Sequence, residues 1–385
     1  MSGDLVDRVR RRLVAEADLA AADLAGADLA GAVRAEAQGI VDDTVFANLR
    51  RDVAAELHGA GPLEPLLAAA GVTDVLVNAP DAVWLDRGHG MERASATFAD
   101  DAAVRRLAQR LAASAGRRLD DAMPYVDAVL PDGTRLHAVL PPLAGRTTIS
   151  LRVLARRPLH LDGLVALDAM PPVVAHLLRE VVAARLAFVV TGGTGTGKTT
   201  LLGALLGEVP SAQRVLVIED APELVIAHPH VVRLVCRGAN VEGAGAVGLR
   251  ELVRQALRMR PDRLVVGEFR GAEVVELLVA LNTGHEGSGA TLHANSAADV
   301  PARFAALGAL AGLPSPAVTS LVASAIDVVI HLRRGRDGRR VVAELGVLRR
   351  AGDELAVHPA WTSGGGEQAG WPRLRSLLDS RAGGG

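Results

Sequence analysis

The sequence predicts an α/β protein in two parts: a C-terminal domain with a doubly wound, mostly parallel sheet, and a smaller N-terminal α+β domain carrying a helical extension. Three observations predict it. From residue 173 onward, short apolar runs of strand length alternate with helical spacings. One of those runs, LAFVVT, leads directly into the glycine-rich TGGTGTGKTT and then into the apolar helix pattern TTLLGALL. Between residues 43 and 154 the runs are instead strand-like and turn on Gly and Pro-Asp-Gly signals, with one amphipathic helix among them.

Taken in order, residues 4–16 place Leu5, Val9 and Leu13 at helical spacing with arginines on the other faces. ADLAAADLAGADLAG, residues 17–31, repeats with period five. On a helix, a step of five turns each Leu by about 140°, so no single apolar face forms. Residues 1–42 therefore read as a helical, low-complexity extension. A helix is expected from Asp43 to about His58, followed by strands in TDVLVN (73–78) and VWLDRG (83–88). Residues 100–115 form a helix with Val104, Leu107 and Leu111 inward. Two strands flank the turn at 131–133, and TTISLRVL (147–154) closes this domain. Residues 155–172 carry the Pro and Gly of a linker around a short helix. The domain at 173–362 holds strands LAFVVT (186–191), RVLVIE (214–219), VVRLVC (231–236), RLVVGE (263–268) and GATLHA (289–294). The Gly-rich segment 363–385 is expected to be a flexible tail.

Composition narrows the function. A net charge of -2 gives no global field for nucleic acid, and 2% aromatics leave few platforms for stacking bases. No direct nucleic-acid contact is expected. The single cysteine, Cys236, has no partner for an internal disulfide or a zinc pair, which fits a reducing cytoplasm. The charged N-terminus lacks the pattern of a signal peptide, and Arg185 interrupts the longest apolar stretch. Membrane association is expected to be peripheral, through partners.

The chain has 42 Lys plus Arg, of which one is Lys, leaving 41 Arg. That one lysine is Lys198, inside G-x-x-x-x-G-K-T. A drift toward arginine has touched every other cationic position. An ammonium is a compact point charge on a flexible stem, able to curl over a loop onto β- and γ-phosphates where a planar guanidinium does not fit. The whole loop is expected to line a nucleotide's phosphates: Gly192, Gly193, Thr194, Gly195, Thr196, Gly197, Lys198, Thr199 and Thr200. Glycines turn backbone N–H groups toward the anion at a helix start, and the Thr199 hydroxyl would sit on Mg²⁺.

Two carboxylates accompany the loop. Glu219 ends one predicted strand, beside Asp220, and Glu268 ends another. In an open α/β sheet, ligands bind outside the carboxyl ends of the strands, so both acids belong at the nucleotide. One is needed to support Mg²⁺ and one to orient the attacking water. NTGHEGSGATLHANS (282–296) adds His285 and His293. Their spacing of eight is not a usual zinc arrangement, so an imidazole contact with the terminal phosphate is the expected use.

Four stretches, GGTGTGKTT, VLVIEDAPEL, RMRPDRLVVGEFRGAE and TGHEGSGATLHANS, resemble in this order the Walker A, Asp box, Walker B and His box of the secretion and pilus-assembly ATPases of type II and type IV systems. GPLEPLL, TDVLVN, GRRLD, DGTRLHAVLPP and ISLRV resemble that family's Tad-type (tight-adherence, Flp-like) branch, and the likeness covers roughly residues 50–350. The resemblance implies a RecA-like ATPase domain and a homohexamer, with ATP held between the two domains and beside a neighbouring subunit. It further implies a cytoplasmic motor, peripheral at the inner face of the cytoplasmic membrane, that drives an inner-membrane platform protein of a pilus or secretion machine. Carried over box by box, Lys198 and Thr199 hold phosphate and Mg²⁺, Glu219 polarises water, Glu268 supports Mg²⁺ or that water, and His293 senses the γ-phosphate. Which acid is the base stays open, with Glu219 favoured. Arg118, Arg135 and Arg152 match the family's charge clamps on the phosphates. A nucleic-acid translocase or conjugative DNA-transfer ATPase on the same core is the alternative. The chain departs from the larger members in lacking a tetracysteine insert, and Phe269 stands where a small aliphatic is common.

Overall fold

Alternating burial along short strands organises the first of two units, which divide between residues 154 and 155. The computed structural model describes Arg8, Arg12, residues 29–36 and residues 59–382, except 89, 154–157, 239–243, 283, 336 and 353. The helix expected over 43–58, and most of the segments 4–16 and 17–31, lie outside the described residues. Helix α1 covers Leu29–Glu36, and α2 covers Glu64–Ala68. Strands β1 (Asp74–Ala79), β2 (Ala82–Asp86), β3 (Met91–Arg93), β4 (Tyr125–Val129), β5 (Arg135–Val139) and β6 (Thr148–Arg152) form a sheet of order β3-β2-β1-β6-β5-β4. Every neighbouring pair in it is antiparallel.

Period-two burial puts Val75, Val77, Leu136, Ala138, Ile149 and Leu151 in the core and the residues between them toward solvent. Helix α3 (Asp101–Ser114) covers that apolar face with Val104, Leu107 and Leu111. It starts where it does because the Asp100 carboxylate accepts the Ala103 N–H at 2.7 Å, a side-chain cap on an otherwise orphaned donor.

The second unit is built from fully buried strands. Residues Phe188–Gly192 (β7) and Val215–Glu219 (β8) are buried at every position, as expected of parallel strands covered on both faces. The sheet continues with β9 (Val231–Val235), β10 (Arg263–Phe269), β11 (Gly289–His293), β12 (Val328–Arg334), β13 (Arg340–Ala351), β14 (Glu354–Thr362) and β15 (Gly366–Glu367). Its order is β15-β14-β13-β12-β7-β11-β10-β8-β9. The six strands from β12 to β9 are parallel, and β13 to β15 add an antiparallel flank.

Odd and even strand positions feed two cores. Phe188, Val190, Val215 and Val217 meet α4 (Leu161–Ala166), α5 (Pro172–Ala183) and α6 (Lys198–Gly207) on one face. Val189, Leu216 and Ile218 meet α7 (Leu249–Ala256), α8 (Val274–Leu281), α9 (Val300–Leu310) and α10 (Ser315–Ala325) on the other. Phe269 is buried and packs edge-on against Phe304, ring centroids 6.0 Å apart, which gives that large side chain a place.

Two expectations give way here. Leu161 and Leu164 of α4, within the expected linker, are buried in the second unit's core. The expected flexible tail contains α11 (Trp371–Ala382), whose Leu374 and Leu378 enter the same core and whose Arg375 reaches Glu180 of α5 at 2.7 Å. The Gly-rich composition of 363–370 drew attention away from Leu374 and Leu378, an apolar pair four residues apart on one face of the helix, which docks it on the core. Leu374→Ala is expected to lower the unfolding free energy in a urea titration by about 2–5 kcal/mol, while exposed Ser376→Ala stays within about 0.5 kcal/mol; equal effects would mean that α11 does not hold the core.

Candidate functional site

The register of β7 with its neighbours assembles the site. Gly192 ends β7 and lies opposite His293, the last residue of β11, in the parallel ladder. The neighbouring strands end in Glu268 (within β10) and Glu219 (β8). Four chain ends from distant parts of the sequence therefore meet along one edge, the carboxyl edge where such sheets bind ligands.

The loop after β7 has the backbone its composition demands. Gly192 has φ +149°, and a Cβ there would lie 2.6 Å from the Leu332 carbonyl oxygen. Thr196 Oγ1 donates to the Gly193 carbonyl at 2.9 Å and closes the turn. Gly197, at φ +93°, stands at the N-cap of α6 with no side-chain cap. The first N–H groups of that helix, on Lys198, Thr199 and Thr200, have no intrahelical acceptor. This is the donor set that a phosphate takes at a helix start, where the dipole also favours an anion.

Lys198 is only 7% exposed. Its ammonium donates to the Gly192 and Gly193 carbonyls at 3.1 and 2.9 Å and lies 3.5 Å from the His293 ring nitrogens. Burial pulls its pKa down and Glu268 opposes that pull. A buried cation whose hydrogen bonds go to neutral carbonyls gains most when an anion arrives. Glu268 accepts from His293 Nε2 at 2.7 Å and from Arg270 at 2.5 Å. Burial, then Lys198, depresses the His293 pKa, so the ring is neutral at neutral pH. In that state it donates from Nε2 to Glu268 and keeps Nδ1 as an acceptor.

Glu219 is held differently from Glu268. It is 3% exposed, and its Oε1 accepts the Glu223 and Leu224 N–H groups at 2.9 and 2.7 Å. Arg233 Nη1 stands 3.4 Å from the other oxygen, and burial raises the carboxyl's pKa. Such a group fixes the 220–224 turn through Oε1. The turn carries Glu223, a half-buried acid whose charge acts on both Lys198 and Arg270. Sequence reading missed Glu223 and Arg270, although both flank the strand-end acids it had singled out.

His285 is not brought to the loop. It precedes the opposite end of β11, where Gly289 pairs with Phe188, and its Nδ1 lies 3.1 Å from the Ala280 carbonyl. A five-residue strand separates it from the His293 end by roughly 13 Å of rise. The three candidate arginines belong to the first unit. There Arg135 and Arg152 face each other across β5 and β6, with Asp127 3.9 Å from one and Asp74 3.2 Å from the other. Arg118 is exposed and hydrogen-bonded to Asp120.

Another residue unread in the sequence is His331 on β12, 8% exposed. It pairs in register with Thr191 and shares a 2.9 Å hydrogen bond with that hydroxyl, one residue before the loop begins. The VVIHL run around it carries a strand signal that could have found it.

Among the described residues no three His, Cys, Asp or Glu side chains gather to hold a metal. A cation at this loop would rest on the Thr199 hydroxyl, phosphate oxygens and water, an oxygen-rich and hydrated set that suits Mg²⁺.

The sheet order, the helix-starting glycine loop and its buried lysine define a RecA-like P-loop domain. The chain belongs to the type II/IV secretion system protein family, whose model matches residues 56–357. It is 56% identical over 348 residues, 89% of this chain and 99% of the other, to a protein of Mycobacterium tuberculosis described as a putative conjugal transfer protein. It is 33% identical over 315 residues, 74% of this chain and 92% of the other, to the type IV secretion system protein PtlH of Bordetella pertussis. The fold is similar to that of the pilus retraction motor PilT solved with ADP, at TM-score 0.54 and 20% identity over 83% of this chain and 85% of that one. Among the described residues no helix is long and apolar enough to cross a membrane.

The depressed pKa of His331, caused first by burial and then by Arg333 against the opposing Asp299, has a consequence for stability. The unfolded imidazole takes a proton near its ordinary value of about 6.5 while the folded one still resists it, so stability is lost as pH falls through that value. His331→Gln removes this titration. Its melting temperature is expected to fall less than that of the wild type between about pH 7.5 and 5.5; parallel losses in both proteins would show that His331 is not the group responsible.

Proposed function

We propose that this chain is an ATP-hydrolysing motor that works as a homohexamer and powers a type II/IV secretion or Tad-like pilus-assembly machine through an inner-membrane partner, from the cytoplasmic side. The observation that carries the enzymatic part is the buried Lys198 ammonium facing His293 and Glu268 at a helix start with open donors. The family and the named relatives support the setting in a secretion machine. The homohexamer, the membrane partner and the Tad-type branch rest on the sequence resemblance.

ATP would lie with its β-phosphate on the α6 N-terminus and its terminal phosphate at Lys198. Thr199, with support from Glu268, would hold Mg²⁺, which would supply neutralisation of charge on the phosphate oxygens. The charge of an arriving terminal phosphate would favour protonation of His293, which would then donate from Nδ1 to a phosphate oxygen while Nε2 keeps its 2.7 Å bond to Glu268. Glu219 positions the 220–224 turn, and Glu223 is the acid we assign to the attacking water. Charge on Glu223 already reaches Lys198, and its backbone is pinned by Glu219. Arg118, Arg135 and Arg152 remain proposed as phosphate clamps.

Transfer of DNA is a second reading of the same motor, favoured by the conjugal-transfer description of the mycobacterial relative. ATPase stimulation by single-stranded DNA that weakens with salt would select it.

Lys198→Ala is expected to abolish ATP hydrolysis while the circular dichroism spectrum is unchanged; turnover that survives would end the proposal. Glu223→Gln is expected to lower kcat by about 10²-fold with little change in KM. Glu219→Gln is expected to lower the melting temperature first. A reversed pattern would return water activation to Glu219.

A further inference from the structure

The parallel strand β7 has different company on its two sides. On the β11 side stand His293 and Glu268, drawn together around Lys198. On the β12 side the ends of β12 and β13 stand beside the same loop, within residues 331–335 and 337–340. The two strands pair through Arg334 and Arg340. A Cβ placed on Gly197 would lie 3.7 Å from Arg340 Cδ, so the arginine stem runs beside the residue that caps α6. The Arg340 side chain is exposed, and no hydrogen bond or ion pair joins its guanidinium to another described residue. Its neighbour Arg339 is used differently, lying 3.5 Å from Asp168 and 3.7 Å from Asp337.

These two sides give a bound nucleotide a direction. Its terminal phosphate belongs with Lys198, His293 and Glu268. The chain of phosphates would then pass the α6 N-terminus, with the inner phosphate and nucleoside on the side of β12 and β13. A guanidinium carried beside Gly197 meets the nucleotide at that inner phosphate. We propose that Arg340 grips the α-phosphate of a nucleoside di- or triphosphate, from the same subunit and from the face of the loop opposite to Glu268. Two parallel N–H···O bonds to one phosphate suit a planar fork here, where an ammonium would supply only a point charge. Lysine is thus reserved for the crowded end of the loop and arginine for the open one.

The inference rests on the nucleotide-binding reading of the loop, and the ligands that test it separate the two. Inorganic pyrophosphate can occupy the Lys198 end alone, whereas ADP must also place an α-phosphate beside Gly197. Binding of each to the full-length chain with Mg²⁺ is measured by isothermal titration calorimetry for the wild type, Arg340→Ala, Arg340→Gln, Arg339→Ala and Lys198→Ala. Arg340→Ala and Arg340→Gln are expected to raise the Kd for ADP by about 10- to 100-fold, the range for losing a charge-assisted hydrogen bond. Pyrophosphate affinity in both is expected to stay within about twofold, and Arg339→Ala to match the wild type. Lys198→Ala should weaken both ligands. Arg340→Gln keeps most of the stem and stands in should Arg340→Ala fail to fold. Wild-type affinity for ADP in either folded Arg340 variant overturns the assignment, as does an equal loss for ADP and pyrophosphate, which would mean that Arg340 merely shapes the loop. A wild-type chain that binds neither ligand overturns the nucleotide reading itself.

Discussion

A cation kept out of water next to two backbone carbonyls and a neutral imidazole is the constraint around which the second unit is arranged. Lys198 can be held there because β7 is paired on both sides and buried at every position, so the carbonyls of Gly192 and Gly193 are fixed in place. The same burial that lowers the lysine's pKa keeps Glu268 close enough to oppose it. Attraction for an anion is thereby stored in the geometry of the strand ends, without any conformational search by the side chain.

The acids show how local burial divides labour among similar groups. Glu219 finishes its parallel strand and Glu268 is the penultimate residue of another, hydrogen-bonded to Arg270 two residues on. One accepts two backbone N–H groups and sits in the core; the other exchanges hydrogen bonds with His293 and Arg270 at the edge. Strand position made them look equivalent, while solvent access and partners separate a residue that holds the 220–224 turn from one that meets His293 and Arg270. His331 is a comparable case on the other flank: a buried imidazole used to steady Thr191 at the approach to the loop.

Much of the sheet was legible because its signals are local. All five strands expected in the C-terminal domain form, with ends shifted by one or two residues, since apolar runs of that length bounded by Gly, Pro and charges have few other uses. Strands β12 to β15 were not read: the VVIHL signal of the first is short and ends in Arg333 and Arg334, and the antiparallel flank mixes polar residues among its apolar ones. The docking of α11 escaped for a different reason: Leu374 and Leu378 mean little until a groove exists to receive them.

Sequence alone determined the chemistry of the loop. A single lysine among arginines, set between a strand and a helix with glycines at the required positions, is the pattern from which a phosphate-binding loop is expected, through covalent and steric properties that belong to each residue. Tertiary structure decided which distant residues stand around that loop. His293 arrives and His285 does not, because parallel register places opposite ends of β11 on opposite edges of the sheet. Spacing along a chain cannot reveal this, since the order of strands in space is set by how their faces bury, not by how they follow one another in sequence.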